Sequence, residues 1–372
     1  LAGTLVTVVI PAFNAAQTIA STLSSVFAQT HRALEVLVVD DGSTDATAHI
    51  VAGMARSEPR LRLIRQANNG VAKARNAGLK QAHGRYVAWL DADDLWHATK
   101  IEKQLARFAM SPTPLTFVYT GYRLIDPADC IIANHRTLVD VSSETVCQQI
   151  ATNHFSNVSS IMVPTDLVRQ LGGHEPELAA LGVGGAEDLL LQLKLALLGP
   201  AGCVAEALVG YRIHKDNMSH NVARAAKSNM TALALIEAKA PEIPTWVFEL
   251  GRARTAGYVF HMLRRGQFGA AIAHLVRLLG QQPGKTVQML GQTLLWAAGT
   301  ALGLREADPQ LGMRYAYADP ATAPWEGFML LSDNQRKQLA AADAERLRRK
   351  TYAAPEPAAT QQHEAFPVWA TG

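Results

Sequence analysis

Two groups of carboxylates in this chain each follow directly on a short apolar run. Asp40-Asp41-Gly42-Ser43 comes after Leu34–Val39, and Asp91-Ala92-Asp93-Asp94 comes after Tyr86–Leu90. Five carboxylates in one crevice repel, because two unit charges roughly 4 Å apart cost about 4 kcal/mol at an effective dielectric of about 20. A hard divalent cation is the natural compensation, since Mg²⁺ takes one or two carboxylates and completes its shell with phosphate and water. Further along, Glu187-Asp188 opens an apolar helix, and His214 stands in Tyr211-Arg212-Ile213-His214-Lys215. A carboxylate can serve as a general base, and a neutral imidazole can ligate Mn²⁺. Each feature also has a plain structural reading. Asp41-Gly42-Ser43 makes a turn with Ser43 or Thr44 as helix cap. Acids in a first helical turn gain about 0.3–1 kcal/mol from the dipole, and a lone His commonly just packs. Two acid clusters, both at strand ends, favour a site.

The elements that must position these residues are legible as alternating runs. Strands are expected at Leu5–Ile10, Leu34–Val39, Leu61–Ile64 and Tyr86–Leu90, and helices at Ala15–Ala28, from near Thr44, at Val71–Ala82 and at Thr99–Met110. Strands that are apolar throughout are buried on both faces, which implies an α/β, Rossmann-like, mostly parallel sheet flanked by helices. Ligands of such sheets bind beyond the carboxyl ends of the strands, where both acid clusters fall. After Thr116 the rhythm loosens, with strands at Phe117–Ile125 and Ser160–Pro164 in a mixed region.

The sequence resembles family 2 glycosyltransferases of the GT-A fold. Four motifs carry the resemblance in order: Val8-Val9-Ile10-Pro11-Ala12-Phe13-Asn14; Val38 to Asp45 with Asp40-Asp41-Gly42-Ser43; Asn69-Gly70 with Ala74-Arg75-Asn76-Ala77-Gly78; and Leu90-Asp91-Ala92-Asp93-Asp94. The resemblance covers roughly residues 5 to 215 and implies transfer from a nucleotide-diphosphate sugar with inversion at the anomeric carbon. It implies that Pro11, Phe13, Asn14, Asp40, Asp41, Arg75, Asp91 and Ala92 lie around the donor, with Asp41 reading the nucleobase, commonly uracil. Asp91-Ala92-Asp93 matches the Asp-x-Asp motif, so Asp93 and Asp91 are expected to hold Mn²⁺ or Mg²⁺, with His214 at the metal or the pyrophosphate. Arg212 and Lys215 would suit diphosphate neutralisation. Glu187-Asp188 matches the family's Glu-Asp motif, with Asp188 as base and Glu187 in support. Asp94 exceeds the motif and reads as a helix N-cap or a sugar contact. Gly172-Gly173-His174-Glu175 departs from the family pattern by carrying His where an aromatic is usual, so the acceptor side follows least from the resemblance. A sugar nucleotidyltransferase is a rival, but strand one runs into Pro11-Ala12-Phe13-Asn14 without the glycine-rich loop such enzymes use. A catalytically silent binding or scaffold protein is the other.

Composition bounds the rest. The 372 residues are 48% apolar and 18% charged, with 35 Lys and Arg against 32 Asp and Glu. That is a folded chain of two or three domains, or of one large domain with an appendage, and its net charge of +3 argues against nucleic acid as a partner. The expected partners are the sugar nucleotide and a glycan or glycolipid acceptor, in bacterial-type surface polysaccharide synthesis. Cys130, Cys147 and Cys203 are too scattered for a disulfide framework or zinc site and suit a reduced compartment. The first residues lack the basic lead and long apolar run of a secretion signal. A cytoplasmic protein is expected, with the inner membrane face open as its workplace.

The glycosyltransferase domain is expected over residues 1–220 and a helical extension over 221–305, with Glu249 to Arg264 and Gln267 to Gly280 forming a helix–turn–helix unit. A partly disordered tail is expected over 306–372, with a charged helix at Asp333 to Lys350. The uncharged stretch Thr286 to Leu304 is too polar to span a membrane comfortably; it reads as a buried helix, an interfacial one being the alternative. Arg346, Arg348, Arg349 and Lys350 read as a solvated helix end, or as a contact for anionic lipid.

Overall fold

The computed structural model describes residues 3–133, 146–152, 157–175, 178, 185–214, 221–301, 310–317 and 333–352. Its centre is a sheet of nine strands in the order β3-β2-β1-β4-β8-β6-β9-β5, with β7 paired to β6. The strands are β1 (Val6–Ala12), β2 (Leu34–Asp40), β3 (Leu61–Arg65), β4 (Tyr86–Trp89), β5 (Leu95–Trp96), β6 (Phe117–Ile125), β7 (Ile131–Ala133), β8 (Met162–Pro164) and β9 (Ala201–Arg212). The half formed by β3, β2, β1 and β4 is parallel. From β4 onward the sheet is mixed, β8 running antiparallel to both β4 and β6 while β6 and β9 are parallel.

Side chains alternate between the two faces of a strand, and here both faces are dry. Val9, Val87 and Trp89 enter one buried cluster, while Val8, Ile10, Ala88 and Leu90 enter another. Pro11 sits in β1 without disturbing it: the β1–β4 pairing stops at Val9 and Trp89, so no ladder bond to β4 is lost for want of its N–H.

Helices α1 (Ile19–Phe27), α2 (Thr47–Ala55), α3 (Val71–Gln81) and α4 (Lys100–Met110) follow the strands as expected. Gly78 lets α3 lie directly on β1, since a Cβ there would come within 2.3 Å of Val9. Short helices α5 (Val146–Thr152) and α6 (Thr165–Gln170) precede α7 (Glu187–Leu198). The later helices are α8 (Val222–Lys239), α9 (Thr245–Arg254), α10 (Gly257–Arg264), α11 (Phe268–Gln281), α12 (Pro283–Ala301) and α13 (Asp333–Tyr352). Leu233 and Ile236 of α8 and Phe248 of α9 share one buried cluster with Leu190 and Leu193 of α7, which ties the helical region to the sheet domain.

Several expectations need correcting. The helix expected from Glu249 to Arg264 is two helices, α9 and α10, divided at Thr255-Ala256, where the His274 ring meets the Thr255 carbonyl and hydroxyl. Helix α12 is buried on one face only: Thr286, Met289 and Thr293 are buried, Val287, Leu294 and Leu295 face solvent, and Leu302 to Leu304 lie outside the described residues. Arg346 is neither solvated nor free for lipid, because it is buried and donates to the Leu197 carbonyl. The side chains of Arg348, Arg349 and Lys350 lie outside the described residues. The stretch expected to be irregular is anchored where it is described, Ile131 N–H donating to Met313 and the Tyr315 hydroxyl to Ala207. Residues 353–372, like Lys215, lie outside the described residues.

Candidate active site

The loops after β1 and β2 are stitched together by short polar side chains. Asn14 has φ of 50°, a left-handed conformation that Asn tolerates better than most residues. Its N–H donates to Ser43 Oγ at 2.9 Å, and its side-chain oxygen accepts from Thr44 N–H at 2.9 Å. Phe13 beside it is half exposed. Gly42, at φ 78°, passes so close to the next loop that a Cβ would stand 2.8 Å from Asn68 N.

The two acids after β2 part company. Asp40 is fully buried and turned into the fold, accepting from Ser43 N–H at 3.1 Å and from Arg65 Nε at 3.2 Å. Asp41 accepts from Gln66 Nε2 at 2.7 Å, Asn69 N–H at 3.0 Å and Gly70 N–H at 2.8 Å. An ionised carboxylate has about four acceptor positions, so these three leave about one for a ligand N–H.

Beyond β4, the backbone is pinned before any side chain is placed. Thr18, just before α1, and Thr22 within it both donate to the Ala92 carbonyl, and Asp91 N–H donates to Ser159 Oγ. Asp94 is fully buried, accepting from the Ser159 hydroxyl at 2.6 Å and from Arg212 N–H at 3.0 Å. Burial and its neighbours Asp93 and Asp91 hold its carboxyl well above the usual range. It is therefore neither a sugar contact nor a helix cap, the residue before α4 being Thr99. Arg212, expected near a diphosphate, is buried too and donates to the carbonyls of Asp93 and Asp126 while pairing with Asp129. None of this could be seen locally, since Ser159 and Arg212 reach Asp94 from 65 and 118 residues away. Strand β9, which delivers Arg212 and His214, was not expected at all; its Ala, Gly and Glu are poor strand formers.

Arg75 joins the two acid motifs. Its guanidinium is buried, donating to Asp91 Oδ1 at 2.8 Å and to Glu187 Oε1 at 3.1 Å. Burial alone would lower its pKa, but Asp91, Glu187 and Asp188 outweigh that and raise it, so the cation is fixed. Glu187 also accepts from Gly185 N–H at 2.7 Å, capping the start of α7 with its own first-turn acid. Asp188 accepts from Leu189 N–H at 2.7 Å. Burial, then the Glu187 charge, push the Asp188 carboxyl up to about 7, against the pull of Arg75.

Asp93 and His214 form the more open part. Asp93 Oδ2 and His214 Nε2 are 2.8 Å apart, and both side chains are close to 30% exposed. Burial and Asp91 raise the Asp93 carboxyl, with His214 opposing. Among the described residues no three His, Cys, Asp or Glu side chains form a ready metal cluster. Asp91 faces Arg75 instead, so the expected set of Asp93, Asp91 and His214 is not gathered at one point. Two adjacent oxygen and nitrogen donors still fit a cation whose remaining ligands are phosphate and water.

His174 shows how this chain meets its departure from the family pattern. Its ring stands edge-on to Trp89 with centroids 4.9 Å apart, as an aromatic would, while its backbone N–H and carbonyl bond Asn76. Burial, with Arg75 and Lys194 nearby, holds it well below the usual histidine pKa and so neutral. Glu175 next to it pairs with Lys194 of α7.

Residues 7–122 match the family model of Glycosyl transferase family 2. The chain is 33% identical over 254 residues to TuaG of Bacillus subtilis (strain 168), a glycosyltransferase assigned to teichuronic acid biosynthesis; the match covers 66% of this chain and 93% of TuaG. The chain belongs to glycosyl transferase family 2. Further relatives are matched over as little as 15% of their length. The fold is shared with Staphylococcus aureus TarS 1–349, solved with UDP-GlcNAc, at a TM-score of 0.51 and 18% identity over 78% of this chain and 80% of TarS. It is also shared with the mannosyltransferase PcManGT of Pyrobaculum calidifontis, solved with GDP-Man and Mn²⁺, at 0.50 and 22% over 82% and 88%. The family 2 chain is thus a glycosyltransferase with a GT-A sheet and a helical carboxy-terminal region.

Proposed function

We propose that this glycosyltransferase moves a sugar, with inversion, from a nucleotide-diphosphate sugar to a hydroxyl of a glycan or glycolipid in surface polysaccharide synthesis. The observation that carries the reading is the buried Arg75 bridge, which binds the donor-side Asp91 and the Glu187-Asp188 pair into one unit. Donor and base then belong to one rigid arrangement, as a direct displacement needs. TuaG's assignment to teichuronic acid biosynthesis supports the acceptor class.

In this reading Asp188 is the catalytic base. One oxygen is held by Leu189 N–H, leaving the other to take the proton of the acceptor hydroxyl. The acceptor oxygen bonds the anomeric carbon as the carbon–oxygen bond to the diphosphate breaks on the opposite face. Glu187, held by Arg75 and Gly185 N–H, keeps the base's electrostatic surroundings fixed. Asp41 takes a nucleobase N–H at its remaining acceptor position, and Pro11, Phe13 and Asn14 border the nucleotide. Uridine is the base the motif resemblance favours.

Asp93 and His214 would hold Mn²⁺ or Mg²⁺, which when bound stabilises charge on the departing diphosphate. The helices of residues 221–305 would wall the acceptor side. In support, Tyr258 of α10, reached by Asn229 of α8, has its phenol pKa raised by burial and also by the Asp188 charge. Three free cysteines suit a cytoplasmic location.

The test is release of nucleoside diphosphate from a panel of nucleotide sugars with Mn²⁺ and glycan acceptors. Asp188→Asn should retain donor binding and lose transfer by about 10²–10⁴-fold, the usual contribution of a positioned base. Transfer at the wild-type rate would remove Asp188 from the mechanism. Binding of nucleotide sugar without turnover by the wild type would leave a silent binding protein.

A further inference from the structure

Helices α11 and α12 each bury one face and leave an apolar face to solvent. On α11, Ala271, His274 and Leu278 are buried, whereas Phe268, Ile272 and Val276 are 61%, 63% and 64% exposed. With Leu279 these exposed residues fall within an arc of about 80° at 3.6 residues per turn. On α12, Thr286, Met289 and Thr293 are buried, while Val287, Leu294 and Leu295 are 61%, 54% and 76% exposed on the opposite side. Leu278 and Met289 enter the same buried cluster with Met230 and Ala253, so the two helices lie on one support and turn their apolar faces away from it. Burying such residues is worth about 1.5–3 kcal/mol apiece, and a contiguous exposed patch marks a docking surface.

The charge around this face identifies its occupant. From Leu250 to Arg305 the chain has no Asp or Glu but seven Arg and Lys. Arg254 is buried, Arg252 pairs with Glu237 and Lys285 with Glu249. Arg264, Arg265 and Arg277 are exposed, the first two at the turn leading into Phe268 and the third beside Val276. A second copy docked on the same face would bring arginines against arginines. A surface of anionic headgroups over hydrocarbon complements both the charge and the apolar stripe. No described helix is long and apolar enough to cross a membrane, so the contact is one of lying on the bilayer.

We propose that the outer face of α11 and α12 is a binding surface for anionic phospholipid bilayers, in addition to the transfer reaction and independent of it. The test is co-sedimentation of the full chain with phosphatidylcholine vesicles, with and without phosphatidylglycerol. Sedimentation should require the anionic lipid and weaken with salt. Arg264→Gln and Arg277→Gln should each weaken it about fivefold, corresponding to about 1 kcal/mol per basic residue near the surface. The pair Ile272→Ser and Leu295→Ser should abolish it without lowering the melting temperature, since both side chains point outward. Equal sedimentation with neutral vesicles, or none with either, would overturn the proposal. So would a dimer in light scattering that the Ile272→Ser and Leu295→Ser pair dissociates, because the occupant would then be a second copy.

Discussion

The two parts of the candidate site are built differently. Around Arg75 the guanidinium and Glu187 are buried against each other, Asp91 closes the bridge from its more exposed side, and backbone N–H groups hold Glu187 and Asp188. Around Asp93 the pair with His214 is partly open to solvent. The first part is finished by folding. The second has donors whose full set must come from a ligand. A transferase benefits from this division, because fixed groups lower the cost of orienting the base, while the diphosphate must enter and leave on every turnover.

Substitutions should separate the two parts. The largest effect belongs to Arg75→Ala, which strands Glu187 and crowds it with Asp188. Breaking a buried pair in this way costs about 3–5 kcal/mol, so the melting temperature should drop by many degrees together with activity. Unchanged melting would mean that the bridge does not hold the site together. Asp93→Ala should do the reverse, losing at least about tenfold in Mn²⁺-dependent nucleotide affinity, or about 1.4 kcal/mol, with little change in melting. A large loss of stability would place Asp93 with the folded framework instead.

The third expectation is in pH. With Asp188 pushed up to about 7, transfer should fall tenfold per unit below that point as the base is protonated. Stability should move the other way. The folded chain holds this proton between about pH 4 and pH 7 and the unfolded chain does not, so the carboxyl's contribution to stability falls as pH rises through that window. Asp188→Asn should therefore melt higher than the wild type at about pH 8 and no differently below about pH 4. A flat rate profile from about pH 5 to 8 would refute the shifted base. The smallest expected effect is His174→Phe, which replaces a neutral ring against Trp89 by an aromatic and should alter stability by less than about 1.5 kcal/mol. A larger loss in thermal melting would show that the imidazole is more than a packed ring.

Much of this was legible in the chain. Continuous apolar runs placed the parallel strands within a residue or two, and β6 fell on Phe117–Ile125 as expected. Acids at strand ends marked the site because their position beyond a sheet is a matter of local order. What stayed hidden was set by distant partners. Asp40, Asp41 and Asp94 are alike in sequence, yet Arg65 and Ser43 engage the first, the 66–70 loop the second, and Ser159 with Arg212 the third. The apolar stretch in α12 showed how hydrophobic it was but not which side would meet the protein, since that depends on the cluster of Met230, Ala253 and Leu278 beneath it.

The most direct measurement is calorimetric titration of the wild-type chain with UDP and with GDP, each in Mn²⁺ and in chelator. The account expects one nucleotide, UDP by the motif resemblance, to bind in Mn²⁺ and to lose that binding in chelator, because the open Asp93–His214 part is completed only by metal and diphosphate together. Binding of equal strength in chelator, or no binding of either nucleotide, would contradict it.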